Sequence, residues 1–335
     1  MFKNKTIPFY PNTIPIVFAT DDNYAPYMSA TIQSIVENAS PDKNYAFFIL
    51  YSKITNETVN LLHEQVAHYE QFNIGFVNLT DYVSKYKFFV SRHITIETYF
   101  RLFIPELFYE YQKVIYLDCD MIVCIDIAEL FEINLENNIL AAMRDINISN
   151  SYYHYKQSNK INDKRNSLSK LKNFGDYFCA GLCVFNISLF RKTIIQDEML
   201  EFATANEWDF HDQDVLNIFA EGKTLLLSFH WGVYTTKIQY LPENKKNEYI
   251  DAQKYPKIIH FTNKPWKSDI HILHFEWFWK YATRTPFIDV IISRMDTGKH
   301  FKDVVISRIH KRGGGMSLKF ILVDCVKAWL FRIPK

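Results

Sequence analysis

The stretch Val114-Ile115-Tyr116-Leu117-Asp118-Cys119-Asp120 decides the fold and indicates the chemistry of this 335-residue chain. Four apolar residues followed by polar ones are typical of a short buried β-strand. Asp118 and Asp120 stand at i and i+2 at the end of that strand, so both carboxylates can bind one cation. Mg²⁺ and Mn²⁺ prefer such oxygen ligands, and Mg²⁺ often shares its coordination with substrate phosphates. The stretch therefore predicts a divalent-cation site, with a pair of turn carboxylates as the alternative.

Strand and helix patterns alternate on both sides of this stretch. Such alternation is typical of a doubly wound, largely parallel sheet, in which ligands bind at the carboxyl ends of strands. Asp21-Asp22-Asn23 and Asp118-Cys119-Asp120 both follow strands in this prediction, so we expect them at one edge of the sheet. The predicted elements are strands over 14–20, 45–51, 73–79, 139–143, 182–186 and 258–261, and helices over 27–36, 56–69 and 212–219.

A polar segment over 147–173 is rich in Ser, Asn, Lys and Tyr and has little strand or helix signal. We expect it to be a long excursion over the site, with a plain solvated loop as the alternative.

The composition predicts a folded chain in a reducing compartment. Hydrophobic residues make up 48% of the chain, and only 9 Gly and 11 Pro occur, which argues against long disordered regions. The five cysteines are odd in number and form no C-x-x-C pair, and no signal peptide is evident, so we expect no disulfide framework. Because no apolar run approaches about 18 residues, we expect no membrane-spanning helix.

The carboxyl-terminal part differs from the rest in charge. Residues 294–335 carry ten Lys and Arg against three Asp and Glu, a local charge of +7, whereas the net charge of the whole chain is +1. Over 316–333 a helix would align Leu318, Leu322, Cys325, Val326, Trp329 and Ile333, with Lys319, Lys327, Arg332 and Lys335 around them. This pattern favours binding to an anionic membrane surface, with packing on the body or on a partner as the alternative. We therefore divide the chain into a domain over 1–285 and a basic helical extension over 286–335.

Six ordered segments resemble the retaining family-eight glycosyltransferases of the GT-A fold. That family includes glycogenin-like enzymes and bacterial lipopolysaccharide α-galactosyl- and α-glucosyltransferases, and the resemblance covers roughly Ile14 to Thr285. Any one segment could arise by chance, but six in the family's order make chance a poor explanation. The segments are Phe18–Tyr24, Thr98–Leu102, Tyr116–Met121, Ala180–Asn186, His211–Asn217 and Ile259–Trp266.

The resemblance implies an α/β GT-A nucleotide-diphospho-sugar transferase fold, in which helices flank a mostly parallel central sheet, followed here by the basic helical tail. It implies metal-dependent, retaining transfer of glucose or galactose from a UDP-sugar to a cell-surface glycan or glycolipid, such as lipopolysaccharide core. We expect such an enzyme to be cytoplasmic, on the inner face of the membrane, with no nucleic-acid partner.

The resemblance also implies a set of site residues. Asp118, Asp120 and His260 would bind Mn²⁺, or Mg²⁺ in its place. Arg101, Asp212 and Gln213 would act in catalysis, and the neutral amide of Gln213 favours front-face substitution over a covalent intermediate. The implied nucleotide and sugar contacts are Ala19, Thr20, Asp21, Asn23, Tyr24, Arg101, Asp118, Cys119, Asp120, Asp145, Cys179, Ala180, Gly181, Asp212, Gln213 and Lys264.

Two positions depart from the family pattern. The segment from His260 to Lys264 is two residues shorter than the usual H-x-x-G-x-x-K-P-W and has no evident Gly, which puts the reach of Lys264 in question. Cys179 stands where relatives usually have an amide residue. Since a thiol does not make the paired hydrogen bonds of an amide, we expect sugar selectivity to differ from that of the galactosyl-transferring members.

Three other functions compete with this interpretation. A haloacid-dehalogenase-like phosphatase also has D-x-D after an apolar strand, but usually near its N-terminus and with Thr or Val where this chain has Ile122. A nucleotide-sugar-binding protein without turnover would keep the same binding positions. An inverting GT-A enzyme would need a dedicated carboxylate base near the acceptor, and Asp212-Gln213 fits the retaining pattern better.

Overall fold

A seven-stranded sheet forms the centre of the protein in a computed structural model that describes residues 7, 9–91, 94–158, 170–234, 238–267 and 272–294. The order of its strands is β3-β2-β1-β4-β7-β6-β8, and a smaller sheet has the order β5-β10-β9. The strands are β1 Ile14–Ala19, β2 Tyr45–Tyr51, β3 Phe72–Asn78, β4 Lys113–Leu117, β5 Met121–Val123, β6 Leu140–Arg144, β7 Phe178–Asn186, β8 Thr224–Leu227, β9 Val233–Tyr234 and β10 Ile258–His260.

The main sheet is mostly parallel, as the alternation of elements predicts. β3, β2, β1 and β4 run parallel to one another, and β6 runs parallel to β8. β7 lies between β4 and β6 and is antiparallel to both. Apolar residues of β1 alternate between the two faces: Ile16 and Phe18 pack into one core, and Val17 packs into the other. Because both faces are covered, the central strands are continuously apolar.

Helices cover both faces of the sheet. α1 is the most completely buried of the longer helices, since all of its residues from Ala25 to Val36 are buried, and it contacts β5. The helices are α1 Ala25–Asn38, α2 Asn56–Val66, α3 Thr80–Val83, α4 Ile104–Leu107, α5 Ala128–Phe131, α6 Ile146–Ser158, α7 Ile187–Thr193, α8 Gln196–Thr204, α9 Asp212–Phe219, α10 Glu243–Lys254, α11 Phe275–Ala282 and α12 Ile288–Ser293, with 3-10 helices at Ile96–Phe103, Phe174–Asp176 and Phe229–Trp231.

The smaller sheet brings a late part of the chain beside the Asp118–Asp120 segment. β5 follows directly after this segment, and β10 pairs with β5 in the antiparallel direction, with His260 opposite Met121. The backbone N–H of Phe261 donates to the carbonyl oxygen of Asp120 at 3.0 Å. His260 is thereby fixed next to Asp120.

The expectation that 147–173 has little regular structure was wrong over its first half, where α6 extends from Ile146 to Ser158. Oδ1 of Asp145 accepts hydrogen bonds from the backbone N–H groups of Asn147 and Ile148, both at 3.0 Å. This capping by a side chain starts a helix whose own sequence is a poor helix former. Residues 159–169 and the predicted tail helix lie outside the described residues. Among the described residues, no helix is long and apolar enough to cross a membrane.

Candidate active site

The carboxyl ends of β1 and β4 lie side by side, because these strands are parallel neighbours at the centre of the sheet. The turn after β1 and the Asp118–Asp120 segment after β4 therefore line one cavity of about 340 Å³, as expected for this edge of the sheet. Its lining residues are Ala19, Thr20, Asp21, Tyr24, Ile94, Thr95, Glu97, Thr98, Arg101, Tyr116, Asp118, Cys119, Asp120, His260, Thr262 and Lys264.

Asp118, Asp120 and His260 each bring one oxygen or nitrogen atom within 4.8 Å of the others. Oδ1 of Asp120 lies 3.2 Å from Nε2 of His260, and Oδ2 of Asp118 lies 3.9 Å from the same nitrogen. Oδ1 of Asp120 is buried and has no well-aligned hydrogen bond among the described residues. Two carboxylates and an imidazole suit Mn²⁺ and also admit Mg²⁺. The residues present therefore fit the predicted cation.

Gly181 on β7 leaves the space that this cluster requires. A Cβ atom built on Gly181 would lie 2.6 Å from Oδ2 of Asp118 and 2.9 Å from a ring carbon of His260. Real Cβ atoms essentially never make contacts this short, so any larger residue would displace the two ligand side chains. Gly181 belongs to the predicted set, and the close approach gives it a steric role.

Positive groups surround Asp120. Its Oδ2 forms an ion pair with Nζ of Lys264, which also donates to the carbonyl oxygen of Phe261 at 2.9 Å. Burial raises the pKa of Asp120, but Lys264 and His260 outweigh burial and hold that pKa well below its usual value. Burial lowers the pKa of His260, because it also disfavours the charged form of an imidazole, but the carboxylate of Asp120 outweighs burial and raises that pKa to about 10. Asp120 is therefore ionised, and Lys264 reaches the cluster in spite of its shortened loop.

Arg101 connects the cation cluster to the residues predicted for the sugar. Its Nη2 donates to Oδ1 of Asp118 at 2.9 Å, and its Nε lies 2.8 Å from Oδ2 of Asp212. Its Nη1 donates to the carbonyl oxygen of Ala180 at 2.5 Å. Burial lowers the pKa of Arg101, but the carboxylates of Asp118 and Asp212 outweigh burial and raise that pKa well above the ordinary value of an arginine. The guanidinium therefore stays charged between the two carboxylates.

Asp212 and Gln213 begin α9 and line a second cavity of about 770 Å³. Oε1 of Gln213 accepts a hydrogen bond from the backbone N–H of Ala180 at 3.0 Å, and its Nε2 donates to Oδ2 of Asp145 at 3.3 Å. Burial raises the pKa of Asp212 to about 6, since Arg101 offsets burial only in part, and burial also raises the pKa of Asp145. The structure thus brings Asp145, Ala180, Asp212 and Gln213 together.

The turn after β1 forms the other end of the first cavity. Oδ1 of Asp21 accepts hydrogen bonds from the backbone N–H groups of Asn23 and Tyr24, at 3.0 and 2.9 Å. The ring of Tyr24 is partly buried and lies edge-on to Tyr27, with 5.8 Å between the centroids. Ala19, Thr20, Asp21 and Tyr24 line the cavity, whereas Asn23 does not.

The two predicted cysteines have different surroundings. Cys119 lines the first cavity, and its thiol donates to the carbonyl oxygen of Ala19 at 3.1 Å. Sγ of Cys179 lies 3.8 Å from Nδ1 of His260 and accepts a hydrogen bond from the backbone N–H of Gly181 at 3.4 Å. Nε2 of His260 faces Asp120 and its Nδ1 faces Cys179, so the sulfur lies on the far side of the imidazole from the cation cluster. Cys179 accordingly lines neither of the two cavities.

Sequence reasoning did not single out three residues of this site. Oγ1 of Thr98 donates to Oδ1 of Asp212 at 2.6 Å, and the hydroxyl of Tyr116 donates to Oδ1 of Asp118 at 3.0 Å. His211 has φ of 54° and ψ of −124°, a backbone conformation that is rare outside glycine and that often marks functional sites. Thr98 lies three positions before Arg101, and Tyr116 lies two positions before Asp118. Both stand in segments that resemble the family, and this position was the sequence signal by which they could have been found.

Comparisons with known proteins show the family of this chain. The model of a family described as glycosyl transferase family 8 matches residues 15–270. General stress protein A of Bacillus subtilis is 25% identical over 285 residues, which cover 81% of this chain and 94% of that protein. Glycosyltransferase GlyA of Streptococcus pneumoniae is 26% identical over 79% of this chain, but the match covers 34% of that protein. Lipopolysaccharide 1,2-glucosyltransferase of Escherichia coli is 24% identical over 75% of this chain and 72% of that protein.

Solved structures share the fold. The bifunctional glycosyltransferase WbbM has a TM-score of 0.73 and 27% identity, over 86% of this chain and 52% of that one. The galactosyltransferase LgtC, solved with donor and acceptor sugar analogues, has a TM-score of 0.64 and 23% identity, over 82% of this chain and 96% of that one. The chain therefore spans only part of some of the proteins it resembles.

Proposed function

Because the chain belongs to glycosyl transferase family 8 and has the GT-A fold, we propose that it transfers a hexose from a UDP-sugar to a glycan with retention of the anomeric configuration. Family membership makes the chain a glycosyltransferase, and the choice of donor and the stereochemistry are the proposal. The observation that carries it is the Asp118, Asp120 and His260 cluster in one cavity with the turn after β1. A UDP-sugar would need a cation beside its diphosphate and polar groups beside its nucleoside, and both must lie close enough to contact one bound molecule.

We propose Mn²⁺ as the cation, with Mg²⁺ as the second candidate, since an imidazole among the ligands favours Mn²⁺. When bound, the cation would stabilise the negative charge that develops on the departing diphosphate. Asp118, Asp120 and His260 would hold it. Lys264 would add a positive charge to the diphosphate, because its ammonium already lies at Asp120.

The remaining residues would bind and orient the donor. Ala19, Thr20, Asp21, Asn23 and Tyr24 would contact the nucleoside, and Arg101, Asp145, Asp212 and Gln213 would contact the sugar. The amide oxygen of Gln213 already accepts a hydrogen bond from Ala180, and a neutral amide is a poor nucleophile. These two facts support front-face substitution through a short-lived ion pair over a covalent glycosyl intermediate.

We infer a cell-surface glycan or glycolipid as the acceptor, because one relative is a lipopolysaccharide 1,2-glucosyltransferase and a structural neighbour is a galactosyltransferase. The donor sugar would be glucose or galactose. The basic extension over 286–335 would hold the enzyme on the inner, cytoplasmic face of an anionic membrane. Within the described residues, α12 still packs on the body, since Ile291 is fully buried, so the residues available for membrane contact would lie beyond it.

The family match does not support the phosphatase alternative, because the matching family is one of glycosyltransferases. The position of the motif argues against it as well, since three strands, each followed by a helix, precede the Asp118–Asp120 segment. A protein that binds a UDP-sugar without turnover differs from the proposal only in activity, so an activity measurement separates the two.

The test is the release of UDP from UDP-glucose and from UDP-galactose, with and without Mn²⁺, for the wild type and Asp120→Asn. Slow transfer to water serves as the readout, so that no acceptor need be known. We expect release from one donor that requires both Mn²⁺ and Asp120. Mn²⁺-dependent UDP binding without release, even with a panel of glycan acceptors, would favour the binding protein, and no UDP binding would contradict the proposal.

A further inference from the structure

The two oxygens of the Asp118 carboxylate have different surroundings. Oδ1 accepts hydrogen bonds from the hydroxyl of Tyr116 at 3.0 Å and from Nη2 of Arg101 at 2.9 Å. Oδ2 faces the cation cluster, where it lies 3.9 Å from Nε2 of His260 and where Gly181 leaves space for it. Asp118 is therefore held through one oxygen and presents the other.

Tyr116 is itself held in one position. It is 1% exposed and lies on β4, where its backbone pairs with Val17 on β1 and Cys183 on β7. Its ring packs against the guanidinium of Arg101, with 4.4 Å from the guanidinium carbon to the ring centroid. Asp118 directly follows β4, and its backbone N–H still donates to the carbonyl oxygen of Gly181 on β7 at 2.8 Å. Residues at i and i+2 of an extended chain point to the same side, so the side chain of Tyr116 reaches Asp118.

We propose that Tyr116 is a positioning residue for the divalent cation: its hydroxyl fixes Oδ1 of Asp118, so that Oδ2 is oriented toward the cation. A carboxylate can rotate about its terminal bond, and a second donor on the same oxygen as Arg101 removes this freedom. The hydroxyl carries no charge. Its loss therefore changes the orientation of Asp118 and leaves the number of charges at the site as it was. This inference rests on the proposed function, which supplies the cation.

The experiment compares Tyr116→Phe with Tyr45→Phe in the full chain. Tyr45 is also fully buried, and its hydroxyl also donates to a carboxylate, Oδ1 of Asp126, at 2.7 Å. Unlike Tyr116 and Asp118, however, Tyr45 and Asp126 line neither of the two cavities. Both substitutions keep the ring and delete one hydroxyl. The measurement is Mn²⁺ affinity, followed by the electron paramagnetic resonance of free Mn²⁺ without acceptor or donor sugar.

We expect Tyr116→Phe to weaken Mn²⁺ binding by about tenfold, which is the lower end for groups that orient metal ligands, and Tyr45→Phe to leave it within about twofold. Raising Mn²⁺ should restore the rate of UDP release by Tyr116→Phe, because only the affinity for the cation is reduced. Wild-type affinity in Tyr116→Phe would overturn the inference. So would a rate that stays low at saturating Mn²⁺, or a melting temperature far below that of Tyr45→Phe, since either indicates a structural defect.

The proposed function fails separately. If the wild type binds no Mn²⁺ in a manner that depends on Asp120, the cation site itself is wrong, and the role of Tyr116 falls with it. If the wild type binds Mn²⁺ through Asp120 and Tyr116→Phe binds it equally well, the cation site stands and only the role of Tyr116 is wrong.

Discussion

Asp21 and Asp22 are neighbours in sequence but hold different parts of the structure. Asp21 accepts backbone hydrogen bonds within its own turn, beside the first cavity. Asp22 points away and accepts hydrogen bonds from the backbone N–H of Thr55 at 2.9 Å and from Oγ1 of Thr58 at 2.6 Å. The sequence predicts a polar turn here. It does not show which carboxylate serves the cavity, because the partners of Asp22 lie 33 and 36 positions further along the chain.

The first prediction concerns Asp22→Asn. Burial raises the pKa of Asp22, but the hydrogen bonds from Thr58 and Thr55 outweigh burial and lower that pKa below its ordinary value of 3.8. A carboxylate whose pKa is lowered by folding stabilises the protein at pH values above its pKa in the unfolded state. This contribution is lost as the pH falls through its pKa in the folded state. We expect Asp22→Asn to reduce stability at neutral pH by less than about 1 kcal/mol, because water screens this partly exposed carboxylate, and to flatten the acid dependence of stability. Melting curves recorded from neutral to acid pH measure both the stability at neutral pH and its loss in acid. Identical curves for the wild type and Asp22→Asn would refute the role of Asp22.

At the scale of elements, β7 carries much of the site. Its sequence predicts a strand over 182–186, whereas the strand begins at Phe178 and includes Cys179, Ala180 and Gly181. An apolar run shows that a strand exists but not its direction, so the antiparallel course of β7 between β4 and β6 could not be read from the sequence. This course places the backbone of Ala180 against Arg101 and Gln213.

The second prediction concerns the close approach of β7 to the cation cluster. We expect Gly181→Ala to weaken Mn²⁺ binding by at least about tenfold, because the new Cβ would displace Oδ2 of Asp118 and the ring of His260. Gly222→Ala is the matched control, since Gly222 has φ of 73° and open space around it. It should lower stability by about 1 kcal/mol, because a residue with a Cβ is strained at positive φ, and leave Mn²⁺ affinity unchanged. Equal Mn²⁺ affinity in the two variants would contradict the steric role of Gly181.

At the scale of the whole molecule, most residues that line the first cavity belong to the segments that resemble the family, because two of these segments follow the neighbouring parallel strands β1 and β4. His260 joins Asp120 only through the pairing of β10 with β5, which no local pattern indicates. Tyr116 and Thr98 were missed since a buried strand tyrosine and a helical threonine are ordinary core residues until their hydrogen-bond partners are seen. α6 was missed because its helix starts on the side chain of Asp145.

The third prediction concerns the basic extension, most of which lies outside the described residues. We expect the full chain to bind vesicles that contain phosphatidylglycerol, to bind pure phosphatidylcholine vesicles weakly, and to dissociate as salt rises. Reversing the charge of Lys319, Lys327 and Arg332 should abolish sedimentation with anionic vesicles, since each basic residue contributes about 1 kcal/mol. UDP release in solution should not change. Vesicle binding that survives the charge reversal would contradict the role of these residues, and a full chain that binds no anionic vesicles would favour packing of the tail on the body or on a partner.

The central claim is that Asp118, Asp120 and His260 bind the cation on which the transferase depends. The most direct measurement is a calorimetric titration with Mn²⁺ in the presence of UDP, for the wild type, Asp120→Asn and Asp22→Asn. The two variants remove the same charge from carboxylates inside and outside the cluster. We predict one Mn²⁺ per chain in the wild type and in Asp22→Asn, and a loss of affinity of at least about a hundredfold in Asp120→Asn. Equal Mn²⁺ affinity in all three proteins would contradict the account.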